Sequence, residues 1–351
     1  MNAKPCLFPL LLLSLMISAS AHDHLVFEGK EGPGKGKQVV LIAGDEEYRS
    51  EEAMPMLAKI LSQRHGFTCT VLFSADAEGT IQPAAGGSLS NSAALDKADL
   101  ILMSIRFRHW NDEAMTRFDN AYKRGVPLVA LRTSTHGFNI KDGAFKKYSY
   151  NAKDEWAGGF GKQVLGETWV AHHGAHKKEG CRGVVEALNK DHPLLRSVEN
   201  IFVESDVYTA NPPADATVLM RGQVTETLDP ASKPIEGKKN DPLQPIVWLR
   251  ERVNEAGKTN RICTTTMGAA TDLLNEGLRR LVVNGVYWGL SLEIPAKSDV
   301  SYVDPYAPSF FGFKTDRKNF KVIDQDLGKA LPARTGDDGD VRPNAATPKS
   351  K

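Results

Sequence analysis

Cysteine is scarce: the chain has four in 351 residues, and Cys6 lies at the edge of the first apolar run. Cys69, Cys181 and Cys263 remain beyond it. Three thiols allow at most one intramolecular disulfide, which excludes a disulfide-stapled scaffold. Surplus charge is missing too. With 44 Lys+Arg against 43 Asp+Glu, the chain lacks the basic excess that displaces counterions, so no nucleic-acid partner is expected. After residue 21 no apolar run reaches the roughly 18–20 residues that cross a bilayer. The best later run, 281–292, is interrupted by Asn284 and Gly285. A phosphate-binding loop is absent as well. Gly32-Pro33-Gly34-Lys35-Gly36 precedes the first strand pattern instead of following one, so neither a nucleotide nor another cofactor is expected. No internal repeat or domain linker stands out. A hydrophobic content of 41% with 25% charged residues excludes global disorder.

What is present begins with an export signal. Lys4 supplies the positive start, residues 7–17 are almost all apolar, and Ala19-Ser20-Ala21 is an A-x-A cleavage site. Residues 1–21 are therefore expected to be removed, leaving 330 residues with 43 basic and 43 acidic side chains in the periplasm or outside the cell. Residues 22–37 are rich in Gly and charge and read as a flexible leader. Four short apolar runs follow, at 38–43, 67–73, 100–104 and 127–131. Their near-continuous apolarity suits strands buried on both faces. Between them, residues 51–63 and 112–123 show helical stripes, with Ser50 as the expected cap of the first.

This alternation predicts an α/β fold: a flavodoxin-like parallel sheet with helices on both faces. The later half is less regular. Strands are expected near 184–187, 201–204, 217–220, 246–249 and 262–266, with a helix at 273–290. A single domain is expected over 38–295, with an irregular C-terminal extension at 296–329 whose aromatic stretch 302–313 folds back on the body. A disordered polar tail at 330–351 completes the chain.

Ligands of open α/β sheets bind beyond the carboxyl ends of the strands. Three early strands end in polar loops: Gly44-Asp45-Glu46-Glu47-Tyr48-Arg49, Arg106-Phe107-Arg108-His109-Trp110, and Arg132-Thr133-Ser134-Thr135-His136-Gly137. In a parallel sheet these loops share one rim. Asp45 and Glu46 are candidate acid/base groups there, or simply the acidic start of a helix. Arg106 and Arg108 are candidate anchors or solvated charges. His136, between a strand and Gly137, suits a site better than a core. Ser134 and Thr135 sit where a nucleophile elbow would, but the G-x-S-x-G glycines are missing. Thr135 is therefore read as a substrate contact and not a nucleophile.

A second cluster is Trp169-Val170-Ala171-His172-His173-Gly174-Ala175-His176. Imidazoles this close together admit a metal site, but no H-E-x-x-H spacing is present. No metal is assigned, and His173 is read as an acid/base or hydroxyl-contacting group. Trp110 and Trp169 offer flat faces for a sugar ring, with core or rim packing as the alternative. Asp206, in Ser205-Asp206-Val207-Tyr208, adds a carboxylate or forms a turn.

These residues bring a family into view. The chain resembles the ThuA-like (trehalose utilisation) family. The resemblance rests on Val40-Leu41-Ile42-Ala43-Gly44-Asp45-Glu46-Glu47-Tyr48 with Pro55, on Leu131-Arg132-Thr133-Ser134-Thr135-His136-Gly137-Phe138, and on Gly166-Glu167-Thr168-Trp169-Val170-Ala171-His172-His173-Gly174. It continues through His192-Pro193-Leu194-Leu195, Ser205-Asp206-Val207-Tyr208, Thr264-Thr265-Thr266-Met267-Gly268 and Leu278-Arg279-Arg280-Leu281-Val282-Val283-Asn284-Gly285-Val286-Tyr287-Trp288. The order of these segments over 38–295 carries the likeness. One departure is Ala269, where many relatives have His after Met-Gly.

The resemblance implies a variant of the class I glutamine amidotransferase fold. It does not extend to glutaminase chemistry, because no Cys stands at the elbow. It implies a carbohydrate substrate, a disaccharide or its 3-keto form, and candidate positions Asp45, Arg106, His136 and His173. The resulting expectation is an exported enzyme acting on a sugar or keto-sugar. Asp45 or Glu46 and His136 would exchange protons, and His173 and Arg106 would hold oxygens without metal or nucleotide. Thr135, Trp110, Trp169 and Asp206 complete the substrate contacts. The rivals are a non-catalytic glycan-binding protein and a metal-dependent hydrolase built on His172, His173 and His176. The sequence leaves the oligomeric state open.

Overall fold

The computed structural model describes residues 23–313 and 320–331. The expected export signal at 1–21 and nearly all of the expected tail lie outside the described residues. Ten strands form one sheet: β1 (His24–Phe27), β2 (Gln38–Gly44), β3 (Thr68–Phe73), β4 (Leu100–Ile105), β5 (Leu128–Leu131), β6 (Cys181–Val185), β7 (Phe202–Val203), β8 (Thr217–Val224), β9 (Gln244–Val253) and β10 (Thr259–Thr265). Their spatial order is β1-β3-β2-β4-β5-β10-β9-β8-β6-β7. The stretch β3-β2-β4-β5-β10 is parallel, with Ile42 opposite both Leu72 and Met103. From β10 onward to β7 the pairing is antiparallel. The sheet is therefore mixed, and its parallel half is the flavodoxin-like α/β part expected from the sequence.

Alternation within the strands divides the core. Val39, Leu41, Ala43, Leu100 and Leu102 face α1 (Ser50–His65) and α3 (Glu276–Gly289). Val40, Ile42, Ile101, Met103 and Ile105 face α2 (Asp112–Lys123) and an aromatic cluster of Phe118, Phe138, Tyr148 and Phe160. Successive residues of a strand point to opposite faces, so a strand covered on both sides must be apolar throughout. Asn111 and Asn275 cap α2 and α3 by accepting from the backbone N–H of Ala114 and Leu278.

Three expectations change. The leader is not featureless: His24–Phe27 pairs antiparallel with β3, Val26 opposite Thr70, and buries Leu25 and Phe27. Ser50 is not the cap of α1. Arg49 holds that place in the left-handed region (φ 59°), and Ser50 Oγ accepts from the Asp45 N–H at 2.8 Å. The late helix begins only at Glu276, after a short 3-10 turn at Asp272–Leu274. The 302–313 stretch does lie on the body. Phe310 and Phe311 are buried, and the Gly312 N–H donates to Glu47 O at 2.8 Å. Cys69, Cys181 and Cys263 are free and buried, and burial pushes the Cys263 thiol up to about 12.

His65 ties α1 to α3. Its Nε2–H donates to Asp299 O at 2.7 Å, and Nδ1 accepts from the Tyr287 hydroxyl at 2.8 Å. Burial holds its pKa below 6.5. The unfolded chain therefore takes up this proton first. The contribution of His65 is complete above the unfolded pKa of about 6.5 and is lost as pH falls from there toward the folded value. The urea midpoint should drop between about pH 7.5 and about pH 5.5, and His65→Gln should show a smaller drop. Equal drops in the two proteins would exclude this role.

Candidate functional site

The carboxyl ends of β2, β4, β5 and β10 meet at one edge of the sheet. The central side chain there is Arg132, the first residue after β5, which is fully buried and held at φ 38°. A left-handed arginine costs about 1–3 kcal/mol, so its surroundings must hold it. Its Nη1 donates to Asp206 O at 3.0 Å and Thr266 O at 2.8 Å. Its Nη2 donates to the Tyr48 hydroxyl at 3.0 Å and Asp206 Oδ1 at 2.9 Å. The guanidinium carbon lies 4.3 Å from the Tyr48 ring centre and 4.2 Å from that of Tyr208. Such a sandwich suits the planar, weakly hydrated guanidinium.

Asp206 joins this cation to two imidazoles. His172 Nδ1 is 2.7 Å from Oδ2 and His176 Nδ1 is 3.1 Å from Oδ1. Burial alone would raise the Asp206 pKa. Arg132 and the two histidines overcome it and leave the carboxyl well below the usual range. His176 also places Nε2 3.2 Å from Glu47 Oε1. Burial opposes protonation of His176, but its bonds to Asp206 and Glu47 raise its pKa. His172 is 38% exposed and lies beside the Trp169 ring at 5.8 Å. The buried pair Phe310 and Phe311 closes the far side, with Phe311 5.5 Å from His176 and 5.1 Å from Tyr48.

Other predicted residues take different places. Asp45 is completely buried and its carboxylate is fully used. Oδ1 accepts from the Glu47 and Tyr48 N–H groups at 2.7 and 2.9 Å, and Oδ2 accepts from the Thr133 hydroxyl. It anchors the turn after β2 and is not open to a substrate. Glu46 bridges Arg106 and Arg108, the latter at 2.7 Å. Burial, then Asp45, raises its pKa against the pull of the two arginines. Arg106 stays partly open, with Phe107 and Phe313 rings 4.6 and 5.1 Å from its guanidinium carbon.

His136 and Thr135 are brought to the rim but lie beneath its surface, 3% and 2% exposed. The His136 ring is hemmed by Phe107, Trp169 and Tyr208 at 5.1–6.2 Å. Burial, then Arg106 and Arg132, holds its pKa well below 6.5, so the ring is neutral. Gly161 supports this turn from behind. A Cβ there would lie 1.7 Å from Thr135 O, so only glycine allows this close approach.

Two predicted contacts are corrected. Trp110 is a core residue, buried against Phe118 and Phe138. His173 turns away from the other histidines, with Nε2 2.7 Å from Lys239 O. The trio His172, His173 and His176 is therefore not one site; Asp206 takes the place of His173. Sequence reasoning missed Arg132, Tyr48 and Tyr208 as site residues. The available signal was an arginine directly after the apolar strand β5.

No protein-family model matches the chain, and no curated protein matches it. Among solved structures it is similar to a thua-like protein from Bacteroides uniformis ATCC 8492, at 12% identity over 74% of this chain and 94% of that one, with a TM-score of 0.44. It is similar to another thua-like protein from Parabacteroides merdae ATCC 43184, at 15% identity over 82% and 99%, with a TM-score of 0.45. A third is the mmIFT52 N-terminal domain, at 10% identity over 73% and 97%, with a TM-score of 0.38. The first two names coincide with the family that the sequence resembles. With TM-scores below 0.5, the architecture stands on this chain's own strand order and register.

Arg132→Met would leave the buried Asp206 carboxylate without its cation. The loss should be about 3–5 kcal/mol of stability by urea unfolding. Arg132→Lys keeps the charge without the fork and should fall between the two. A loss below about 1 kcal/mol for Arg132→Met would show that Asp206 does not need this partner.

Proposed function

We propose that the chain is an exported, periplasmic or secreted enzyme of disaccharide utilisation, acting on a sugar or keto-sugar by acid/base chemistry. The reacting end of the rim is the one at His172. The observation that carries this reading is the exposed imidazole of His172 backed by the buried Asp206–Arg132 pair. With Asp206 ionised, Nδ1–H of His172 donates to Oδ2, and Nε2 presents its lone pair outward. The half-buried Trp169 beside it offers an apolar face of the kind that sugar rings stack on.

In a keto-sugar the C–H next to the carbonyl is acidified. Transfer of that proton to His172 Nε2 leaves the electron pair on the carbonyl oxygen as an enolate. Its collapse expels the oxygen substituent on the neighbouring carbon and forms a C=C bond; the departing oxygen takes up a proton. Arg106, partly open on the same rim, is the cation suited to the developing enolate. The carbohydrate class itself comes from the family resemblance.

The test is to incubate the purified chain with a panel of disaccharides and their 3-keto forms and follow products by mass spectrometry. Turnover of at least one member is expected. His172→Ala should lose about 10²–10⁴-fold in rate while keeping the native circular dichroism spectrum. Binding by calorimetry without any product would favour a glycan-binding protein, and unchanged turnover in His172→Ala would remove His172 from the reaction.

A further inference from the structure

We propose that His172, His176 and Asp206 bind one divalent transition-metal ion of the zinc class, with Glu47 and Arg132 holding the ligands in place from outside. This gives His172 a role other than that of the free base, in a metal-loaded state of the same residues, and does not depend on the sugar.

Each of the three residues offers a ligand atom, and these atoms lie within 4.8 Å of one another. Tetrahedral bonds of about 2.0–2.2 Å to zinc place its ligands about 3.3–3.6 Å apart. Closing on an ion therefore requires relative side-chain shifts of about an ångström. Two imidazoles and a carboxylate are a donor set for zinc, and three protein ligands leave a fourth position for water or a substrate oxygen.

The outer partners point the same way. Glu47 Oε1 faces His176 Nε2 at 3.2 Å. A carboxylate there accepts, so Nε2 of His176 carries a hydrogen toward Glu47. Nδ1 faces Asp206 Oδ1, 3.1 Å away. In the metal-free site a proton on Nδ1 bridges this gap, and an ion that displaces this proton would take the Nδ1 lone pair while Glu47 keeps Nε2–H in place. A carboxylate on the far nitrogen of a ligating histidine is the usual way a metal site fixes ring and tautomer. Arg132 holds Asp206 Oδ1 at 2.9 Å, which leaves Oδ2 as the carboxylate oxygen on the His172 side. The exposed edge of His172 gives the ion a way in.

The test uses the untagged protein stripped with EDTA and titrated with Zn²⁺ in competition with a chromogenic chelator. One equivalent should bind. The double variant His172→Ala/His176→Ala should lose that equivalent, and His173→Ala should keep it. Glu47→Gln should weaken it by about 10-fold. Absence of stoichiometric uptake by the stripped protein would overturn the site, as would undiminished binding in the double variant. The readout is binding alone, so a failure to turn over any sugar leaves the metal site standing, and a failure to bind zinc leaves the sugar reading standing.

Discussion

The arrangement of the site depends on one buried ion pair, Arg132 with Asp206, both side chains fully closed to solvent. Four segments meet at this guanidinium: the turn after β2 through Tyr48, the turn after β5 through Arg132 itself, the end of β10 through Thr266 O, and the Asp206–Tyr208 segment. Taking both charges out of water is costly, and such pairs often add little net stability. Their geometric effect is large. The fork of the guanidinium fixes the carboxylate in position and orientation, and the carboxylate in turn aims His172 and His176. Around a neutral residue of the same size these loops would have no common point of attachment.

The acids beside this pair divide their work. Three carboxylates follow β2 in sequence and their main partners differ, although Glu47 also lies 3.7 Å from the Arg106 that Glu46 holds. Asp45 closes a turn with backbone N–H groups and Thr133. Glu46 is committed to Arg106 and Arg108. Glu47 reaches His176. Only Glu47 is thereby coupled to the exposed end of the rim. The C-terminal extension belongs to the same unit, since Phe311 covers Tyr48 and His176 and the Gly312 N–H is bonded to Glu47 O.

The parallel half of the fold was legible because a strand buried on both faces must be a short apolar run, as in β2 and β4. The helix at 112–123 was legible to the residue because the stripe of Met115, Phe118 and Tyr122 runs out just before Gly125. The edge strand β1 was hidden: four residues of strand between charged and glycine-rich neighbours carry too little pattern. The extent of β9 was hidden by Pro245 and its charged far end. At the site, the loops that gather were readable from topology, but the depth of each side chain was not. His136 and Asp45 are near the predicted place yet below the surface. His173 was preferred over its neighbours because spacing in an irregular loop does not reveal which way a ring turns. Asp206 was found as a carboxylate, and Arg132 only as part of a motif, since their pairing joins positions far apart in sequence.

The central claim is that a buried Arg132–Asp206 pair aims His172 and His176 at one another on the open edge of the sheet. A crystal structure of the chain is the most direct test. The account predicts the Arg132 guanidinium between the rings of Tyr48 and Tyr208, with the Asp206 carboxylate in contact with both imidazoles or sharing an ion with them. Density showing Arg132 turned out to solvent, or His172 and His176 pointing to different surfaces, would contradict it.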